Sequence, residues 1–245
     1  MDRHEAILRE LNLYPLWVRR NNPEPVAADA KVEIPASTMD TAPPAPQESE
    51  LPTINKSPVS SLGWNELKQQ VRGCSACKLR AGCTQTVFGV GDEKADWLFV
   101  GEGPGADEDA LGEPFVGQAG KLLDNMLMAI KLKRGNNVYI ANIVKCRPPG
   151  NRNPDADEIA TCLPYLQRQI ELMQPKLIVA LGKVASNALL GRDATLASLR
   201  GKLHDYRGIS LIVTYHPAYL LRSPNEKSKA WQDLKMAVKT MGGGV

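Results

Sequence analysis

The sequence lacks several features that mark common protein classes. No apolar run among its 245 residues approaches the length of a membrane span, which excludes a helical membrane protein. The N-terminal residues lack the apolar stretch and cleavage site of a secretory signal, so we expect a cytoplasmic protein with no membrane partner. The five cysteines are an odd number, which argues against a disulfide framework and favours metal or cluster ligation.

Apolar content and charge are less decisive. Hydrophobic residues make up 43% of the chain, which is enough for one sizeable core. The net charge of +3 is uneven, because acids outnumber bases in residues 1–60 and bases outnumber acids in the remainder. A mildly basic folded domain is compatible with a polyanion as partner, but many other soluble domains share this balance.

Composition divides the chain into three parts. Residues 1–20 predict an amphipathic helix, which either tethers a protein partner or packs back on the domain. Residues 21–60 are rich in proline, alanine and acids and nearly free of aromatics, which predicts a disordered linker. Residues 61–245 form the predicted folded domain, and we expect the protein to be a monomer.

Apolar strands alternate with helices in this domain, a pattern typical of a mostly parallel sheet covered on both faces. The predicted strands are residues 96–100, 138–143, 176–181 and 210–214. The predicted helices are residues 62–72, 117–131, 155–173, 183–190 and 226–240.

A glycine-rich loop follows the first predicted strand, at the sheet edge where α/β proteins bind ligands. Its run Gly-Glu-Gly-Pro-Gly at residues 101–105 faintly resembles a dinucleotide loop. However, the G-x-G-x-x-G spacing is absent, Pro104 removes a backbone donor, and the acids that follow would repel a pyrophosphate. A pocket for a neutral, planar, hydrogen-bonding ligand is favoured instead, with Phe115 available to stack on it.

Two polar side chains stand near the ends of later strands. The Asn142 amide offers a donor and acceptors that suit a nucleobase edge, and the alternative is an asparagine that caps the strand end. His216, one of only three histidines, is positioned to donate to a developing anion. Tyr219 and Leu220, next to the basic Arg222, form an apolar tip suited to wedging into a base stack.

Four of the cysteines form two pairs. Cys74 and Cys77 make a Cys-x-x-Cys motif, while Cys146 follows a strand and Cys162 lies on the next helix. Four thiolates suit Zn²⁺ or an iron–sulfur cluster, and the wide spacing of the second pair favours a cluster. The alternative is a redox Cys-x-x-Cys with two unrelated buried cysteines. Cys83 has no partner at ligand spacing and is interpreted as a spare thiol.

Taken together, these motifs resemble the family-4 uracil-DNA glycosylases, the iron–sulfur branch of the uracil-DNA glycosylase superfamily. The resemblance covers about residues 70–240, and its matching segments are residues 101–105 with Glu108 and Asp109, residues 112–120, residues 142–149, the four paired cysteines and residues 216–222. It implies an α/β fold, a three-layer α/β/α sandwich around a central four-stranded parallel sheet. It also implies that Cys74, Cys77, Cys146 and Cys162 hold a structural [4Fe-4S] cluster.

The resemblance further implies roles in the pocket. Phe115 would stack on an extruded uracil, Asn142 would read its polar edge, and His216 would stabilise its oxygen as negative charge develops. Glu102 would position the attacking water, with Asn151 as a second candidate. The implied substrate-binding residues are Gly101, Gly103, Glu108, Phe115 and Asn142.

The implied reaction is hydrolysis of the N-glycosidic bond of uracil in single- or double-stranded DNA, after the nucleotide is flipped out. Apart from Lys145, no lysine stands at the matched motifs, so we expect a monofunctional enzyme that leaves an abasic site. Tyr219 and Leu220 would fill the gap in the stack, and Arg222, Lys227 and Lys229 would contact phosphates.

Three alternatives remain open. They are a glycosylase for other deaminated bases, a uracil-DNA sensor or polymerase-associated module that docks a protein partner through residues 1–60, and a zinc-stabilised nucleotide-binding protein.

Overall fold

The computed structural model describes residues 59–242. The predicted helix of residues 1–20 and nearly all of the predicted linker of residues 21–60 lie outside the described residues, so the domain boundary near residue 61 stays a prediction. Within residues 59–242, every helix is too short or too polar to cross a membrane.

The strands and helices predicted for residues 61–245 all occur, with their ends shifted by one or two residues at most. The strands are β1 Val90–Gly91, β2 Trp97–Gly101, β3 Val138–Asn142, β4 Leu177–Leu181, β5 Leu203–Tyr206 and β6 Ile209–Thr214. The α-helices of the described range are α1 Trp64–Arg72, α2 Ala106–Leu111, α3 Gln118–Ala129, α4 Ala156–Met173, α5 Lys183–Leu190, α6 Leu196–Leu199, α7 Pro217–Arg222 and α8 Lys227–Thr240. Short 3-10 helices span Lys78–Gly82, Pro149–Asn151 and Pro224–Glu226.

The sheet has six strands in the order β1-β3-β2-β4-β6-β5. The central strands β3, β2, β4 and β6 are parallel, and β1 and β5 add antiparallel edges. The sheet therefore has two more strands than the four that were predicted, although the prediction identified the parallel centre correctly. The edge strand β1 escaped the prediction because it is only two residues long.

Helices cover both faces of this sheet, which confirms the predicted three-layer sandwich. Side chains alternate along β2, so Leu98 and Val100 pack with α1, α4 and α5 in one core cluster. Trp97 and Phe99 point the other way and pack with α3, α7 and α8 in a second cluster. The central strands are buried on both faces, which explains their continuous apolar sequences.

The parallel register gathers the predicted functional residues at one edge. Gly101 at the end of β2 lies opposite Asn142 at the end of β3. At the end of β6, His216 becomes the N-cap of α7. Gly182 follows the intervening strand β4 with φ +92°, and a Cβ there would lie 3.1 Å from the His216 Cβ, so a glycine gives the histidine room.

Candidate active site

A cavity of about 380 Å³ opens at the carboxyl ends of β2, β3 and β6. Most of the predicted pocket residues line it, namely Glu102, Gly103, Glu108, Phe115, Asn142, Asn151, His216, Tyr219 and Arg222. Residues from widely separated parts of the sequence thus meet in one place, as expected for a ligand site at the edge of an α/β sheet.

The Asn142 amide is the most informative group in this cavity. Its side chain is buried, yet neither Oδ1 nor Nδ2 has a hydrogen-bond partner among the described residues. It therefore does not cap the strand end, which was the alternative considered for it. A buried polar atom without a partner costs roughly 1–3 kcal/mol, so both atoms call for a ligand that offers a donor and an acceptor.

Gly101 and Phe115 form a slot beside this amide. A Cβ at position 101 would lie 2.5 Å from Asn142 Oδ1 and 2.5 Å from Phe115 Cζ, so only glycine leaves the space open. The Phe115 ring also lies against the His216 ring, with 5.4 Å between centroids and 30° between planes. An aromatic face, an unpaired amide and an imidazole therefore border the same small volume.

His216 is neutral at neutral pH. Burial lowers its pKa from 6.5 to about 4, the positive charge of Arg222 adds to this effect, and the Glu108 carboxylate opposes it. The backbone N–H of Ala218 donates to Nδ1 over 3.1 Å, so the imidazole proton resides on Nε2. The site thus contains a neutral imidazole N–H donor.

Glu108 organises the loops around the cavity. Its Oε2 accepts from the Gly105 N–H at 3.0 Å, which completes a capping box for α2. Its Oε1 accepts from Val116 N at 2.9 Å and Gly117 N at 3.1 Å, directly after Phe115. The carboxylate lines the cavity as predicted, but its oxygens are already bonded to main-chain donors.

The two candidates for positioning water differ in the hydrogen bonds that their side chains already make. Burial raises the pKa of Glu102, whose carboxylate has no hydrogen bond or ion pair within residues 59–242. The Asn151 backbone has φ +56°, and its Oδ1 accepts from Arg147 Nε at 2.8 Å. Glu102 is thus the freer acceptor of the two.

Tyr219, which lines the cavity, belongs to a stacked pair of tyrosines. Tyr219 is 39% exposed and stacks on Tyr215, with 5.2 Å between ring centroids. Tyr215 also contacts the Arg200 guanidinium, which lies 4.2 Å from the centre of the Tyr215 ring. Arg200 in turn forms a buried ion pair with Asp233 at 2.7 Å. This support fixes Tyr219 at the rim.

Leu220 lies elsewhere than predicted. It is only 1% exposed and packs in the core beneath α7, so this arrangement does not support its expected contact with DNA. The helical turn presents Leu221 to solvent instead, and Arg222 lines the cavity. Lys229 pairs with Glu226 at the surface, and phosphate contacts by the basic residues stay predictions.

Sequence reasoning missed several residues of the site. Arg152 and Asn153 line the cavity through a polar loop, and Arg152 is held by a bidentate bond to Glu158. Lys145 is fully buried, and its Nζ donates to the Asn142 carbonyl at 3.0 Å. No local pattern identifies such a lysine, because its partners are a main-chain oxygen and the distant Gln169 Oε1.

The four paired cysteines line a second, small cavity, which Cys83 does not line. The two pairs are thus brought together, although among residues 59–242 no three Cys, His, Asp or Glu side chains are grouped closely enough to hold a metal ion. All five cysteines are free thiols, and burial raises the pKa of Cys162 to about 11.

The surroundings suit sulfur that carries charge. The Tyr165 hydroxyl donates to Cys74 Sγ at 3.3 Å, and the Lys145 backbone N–H donates to Cys162 Sγ at 3.2 Å. No carboxylate or imidazole lines this cavity in the described part of the chain, so the donor set is soft. The residues therefore fit an iron–sulfur cluster or zinc by their chemistry.

Comparison with known proteins identifies the family. The family model for the uracil DNA glycosylase superfamily matches residues 88–235. A type-4 uracil-DNA glycosylase of Archaeoglobus fulgidus is 41% identical over 179 residues, which cover 70% of this chain and 89% of the relative. The chain belongs to the type-4 uracil-DNA glycosylase family. The sequence motifs predicted this membership, and it is confirmed.

Two further members of the type-4 family agree. The relative from Pyrobaculum aerophilum is 41% identical over 192 residues, covering 75% of this chain and 96% of its own. The relative from Thermotoga maritima is 43% identical over 159 residues, covering 64% of this chain and 82% of its own. These relatives are named as glycosylases, which are hydrolases of N-glycosyl bonds.

The superfamily match contains every predicted cavity residue together with Cys146 and Cys162. The superfamily match begins after Cys74 and Cys77. The matches to the type-4 relatives are longer than the superfamily match, so these relatives are more informative about the segment that contains Cys74 and Cys77.

Proposed function

We propose that this chain removes uracil from DNA by hydrolysing its N-glycosidic bond and so initiates repair. The observation that carries the proposal is the buried Asn142 amide beside the Phe115 ring, whose Oδ1 and Nδ2 have no hydrogen-bond partner in the described part of the chain. A flipped-out pyrimidine supplies both the flat face and the polar edge that this arrangement lacks. Membership of a family whose named relatives are uracil-DNA glycosylases supports the same substrate.

The amide matches the edge of uracil. Asn142 Oδ1 would accept from the uracil N3–H, and Nδ2 would donate to O4. Cytosine presents the reverse pattern, so it leaves buried groups unpaired against the same amide orientation and is disfavoured. Phe115 would stack on the base. Because Gly101 and Gly103 have no side chain, the uracil ring would have room to enter next to their backbone.

The chemistry follows from the neutral imidazole. As the glycosidic bond breaks, negative charge develops on the uracil O2, and the His216 Nε2–H is the donor that would stabilise it. Water would attack the sugar, positioned by Glu102 or, second, by Asn151. No lysine lines the cavity in residues 59–242, so we expect a monofunctional enzyme that leaves an abasic site.

The four cysteines Cys74, Cys77, Cys146 and Cys162 would hold a [4Fe-4S] cluster. When bound, the cluster would join the segment before β1 to α4 and leave the reaction itself to the cavity residues. The Tyr165 hydroxyl and the Lys145 backbone N–H would donate to its sulfur ligands. Iron and sulfide analysis with a visible absorption spectrum separates this proposal from a colourless zinc site.

The remaining expectations concern the setting of the reaction. A monomeric state, a cytoplasmic location and a protein partner for residues 1–60 stay predictions, and the last of these lies outside the described residues.

Incubation of the purified protein with an oligonucleotide that contains one uracil tests the function. We expect strand cleavage only after alkali treatment, because a monofunctional enzyme leaves the backbone intact. Matched oligonucleotides with hypoxanthine or xanthine test the other deaminated bases. A long-lived complex with uracil-DNA but no abasic product would contradict the proposal and favour a sensor.

A further inference from the structure

Phe115 has an unusual backbone for its residue type. Its φ is +56°, in the left-handed region that residues with a Cβ avoid, yet the residue is buried in the wall of the cavity. Such a conformation persists only when its surroundings hold it in place. The groups that hold this backbone therefore also determine where the aromatic ring lies.

Arg134 supplies one set of these restraints. Its Nη1 donates to the Pro114 carbonyl at 2.8 Å, and its Nη2 donates to the Phe115 carbonyl at 2.8 Å. Asp124 on α3 orients the guanidinium, since its Oδ1 accepts from Nε at 3.0 Å and from Nη2 at 2.9 Å. One planar group thus joins two successive carbonyls to a helix.

The opposite side of the same turn is equally constrained. Glu108 accepts from the N–H groups of the two residues that follow Phe115. Gly120 in α3 lies so close to the Phe115 carbonyl that any Cβ there would overlap with it. Glu108 lines the cavity, whereas Arg134 does not and approaches the turn from the outside.

We infer that Arg134 is a positioning residue of this active site, which sets the place of the Phe115 ring by bonding the Pro114 and Phe115 carbonyls. The inference rests on the proposed role of Phe115 as the ring that stacks on uracil. Lysine cannot replace this arginine, because a single ammonium lacks the planar fork that spans two carbonyls and a carboxylate.

The test compares Arg134→Met and Arg134→Lys with the unchanged protein under single-turnover conditions. We expect both to excise uracil up to about a hundred-fold more slowly, the loss that a misplacement of roughly 1 Å can cause. Inhibition by free uracil should weaken in parallel. Affinity for uracil-free DNA should not change, because Arg134 does not line the cavity.

A matched control separates positioning from general stability. Arg168 is 19% exposed, close to the 22% of Arg134, and its Nε donates to the Leu62 carbonyl at 2.7 Å, away from the cavity. Arg168→Met should lower the melting temperature to a similar degree while leaving uracil excision and uracil inhibition unchanged.

A double variant tests the route of the effect. If Arg134 acts through Phe115, then Arg134→Met should add little to the loss already caused by Phe115→Ala. Additive losses would overturn the inference, and so would normal excision by Arg134→Lys, a variant that also serves if Arg134→Met does not fold. Normal excision by Phe115→Ala would instead refute the stacking role within the proposed function.

Discussion

The neutral imidazole of His216 makes the stability of the protein depend on pH in a calculable way. Its pKa is lowered from 6.5 to about 4 in the folded protein, chiefly by burial. Between these pH values the unfolded chain binds a proton that the folded protein does not, so stability falls as the pH is lowered through this window. At about 1.4 kcal/mol per pH unit, this histidine alone removes up to about 3 kcal/mol of folding free energy.

The substitution His216→Asn isolates that contribution. Asparagine is a good N-cap residue, so it can keep the bond to the Ala218 N–H while removing the titrating group. Urea unfolding of both proteins at pH 7 and pH 4.5 is the assay. The unchanged protein should lose about 2–3 kcal/mol more than the variant over this interval, and effects of acid on other groups cancel in the comparison. Equal losses would refute the assignment of a buried neutral histidine.

Three further predictions concern the slot, the amide and the domain boundary. Gly101→Ala should reduce excision about a hundred-fold, because the new Cβ would lie 2.5 Å from atoms of Phe115 and Asn142. The control Gly82→Ala, whose Cβ would lie 3.8 Å from its nearest neighbour, should leave the rate unchanged. Single-turnover rates check both variants. Asn142→Ala should abolish most uracil excision yet leave the iron content unchanged, and an unaltered rate would remove the amide from the site. A protein without residues 1–58 should excise uracil at the normal rate in the same oligonucleotide assay, and loss of activity would show that the domain begins earlier.

Much of this fold could be predicted because its central strands are mainly apolar. β2, β3 and β4 are buried throughout and β6 over its last four residues, so their sequences are mainly apolar runs that stand out from the flanking helices. The edge strand β1 could not be found in this way, since a two-residue strand carries no period at all.

The site was predictable where a residue type itself carries the chemistry. Asn142 and His216 are polar groups at strand ends, and the parallel register brings them together. The burial of Leu220 could not be predicted, because the phase of a six-residue helix decides which leucine is buried, and the apolar sequence around it does not. Arg134 gave no signal, because the two carbonyls that it binds lie nineteen and twenty positions away in the chain.

The stacked pair of tyrosines has a consequence for the cost of complex formation. A solvent-facing side chain ordinarily surrenders rotational freedom when a partner immobilises it, at roughly 0.5–1.5 kcal/mol. Tyr219 has lost much of this freedom already on folding, because its ring stacks on Tyr215, which in turn contacts the Arg200 guanidinium. DNA that binds here would therefore meet a side chain that is already ordered, and the entropic cost of ordering Tyr219 would reduce the binding free energy little.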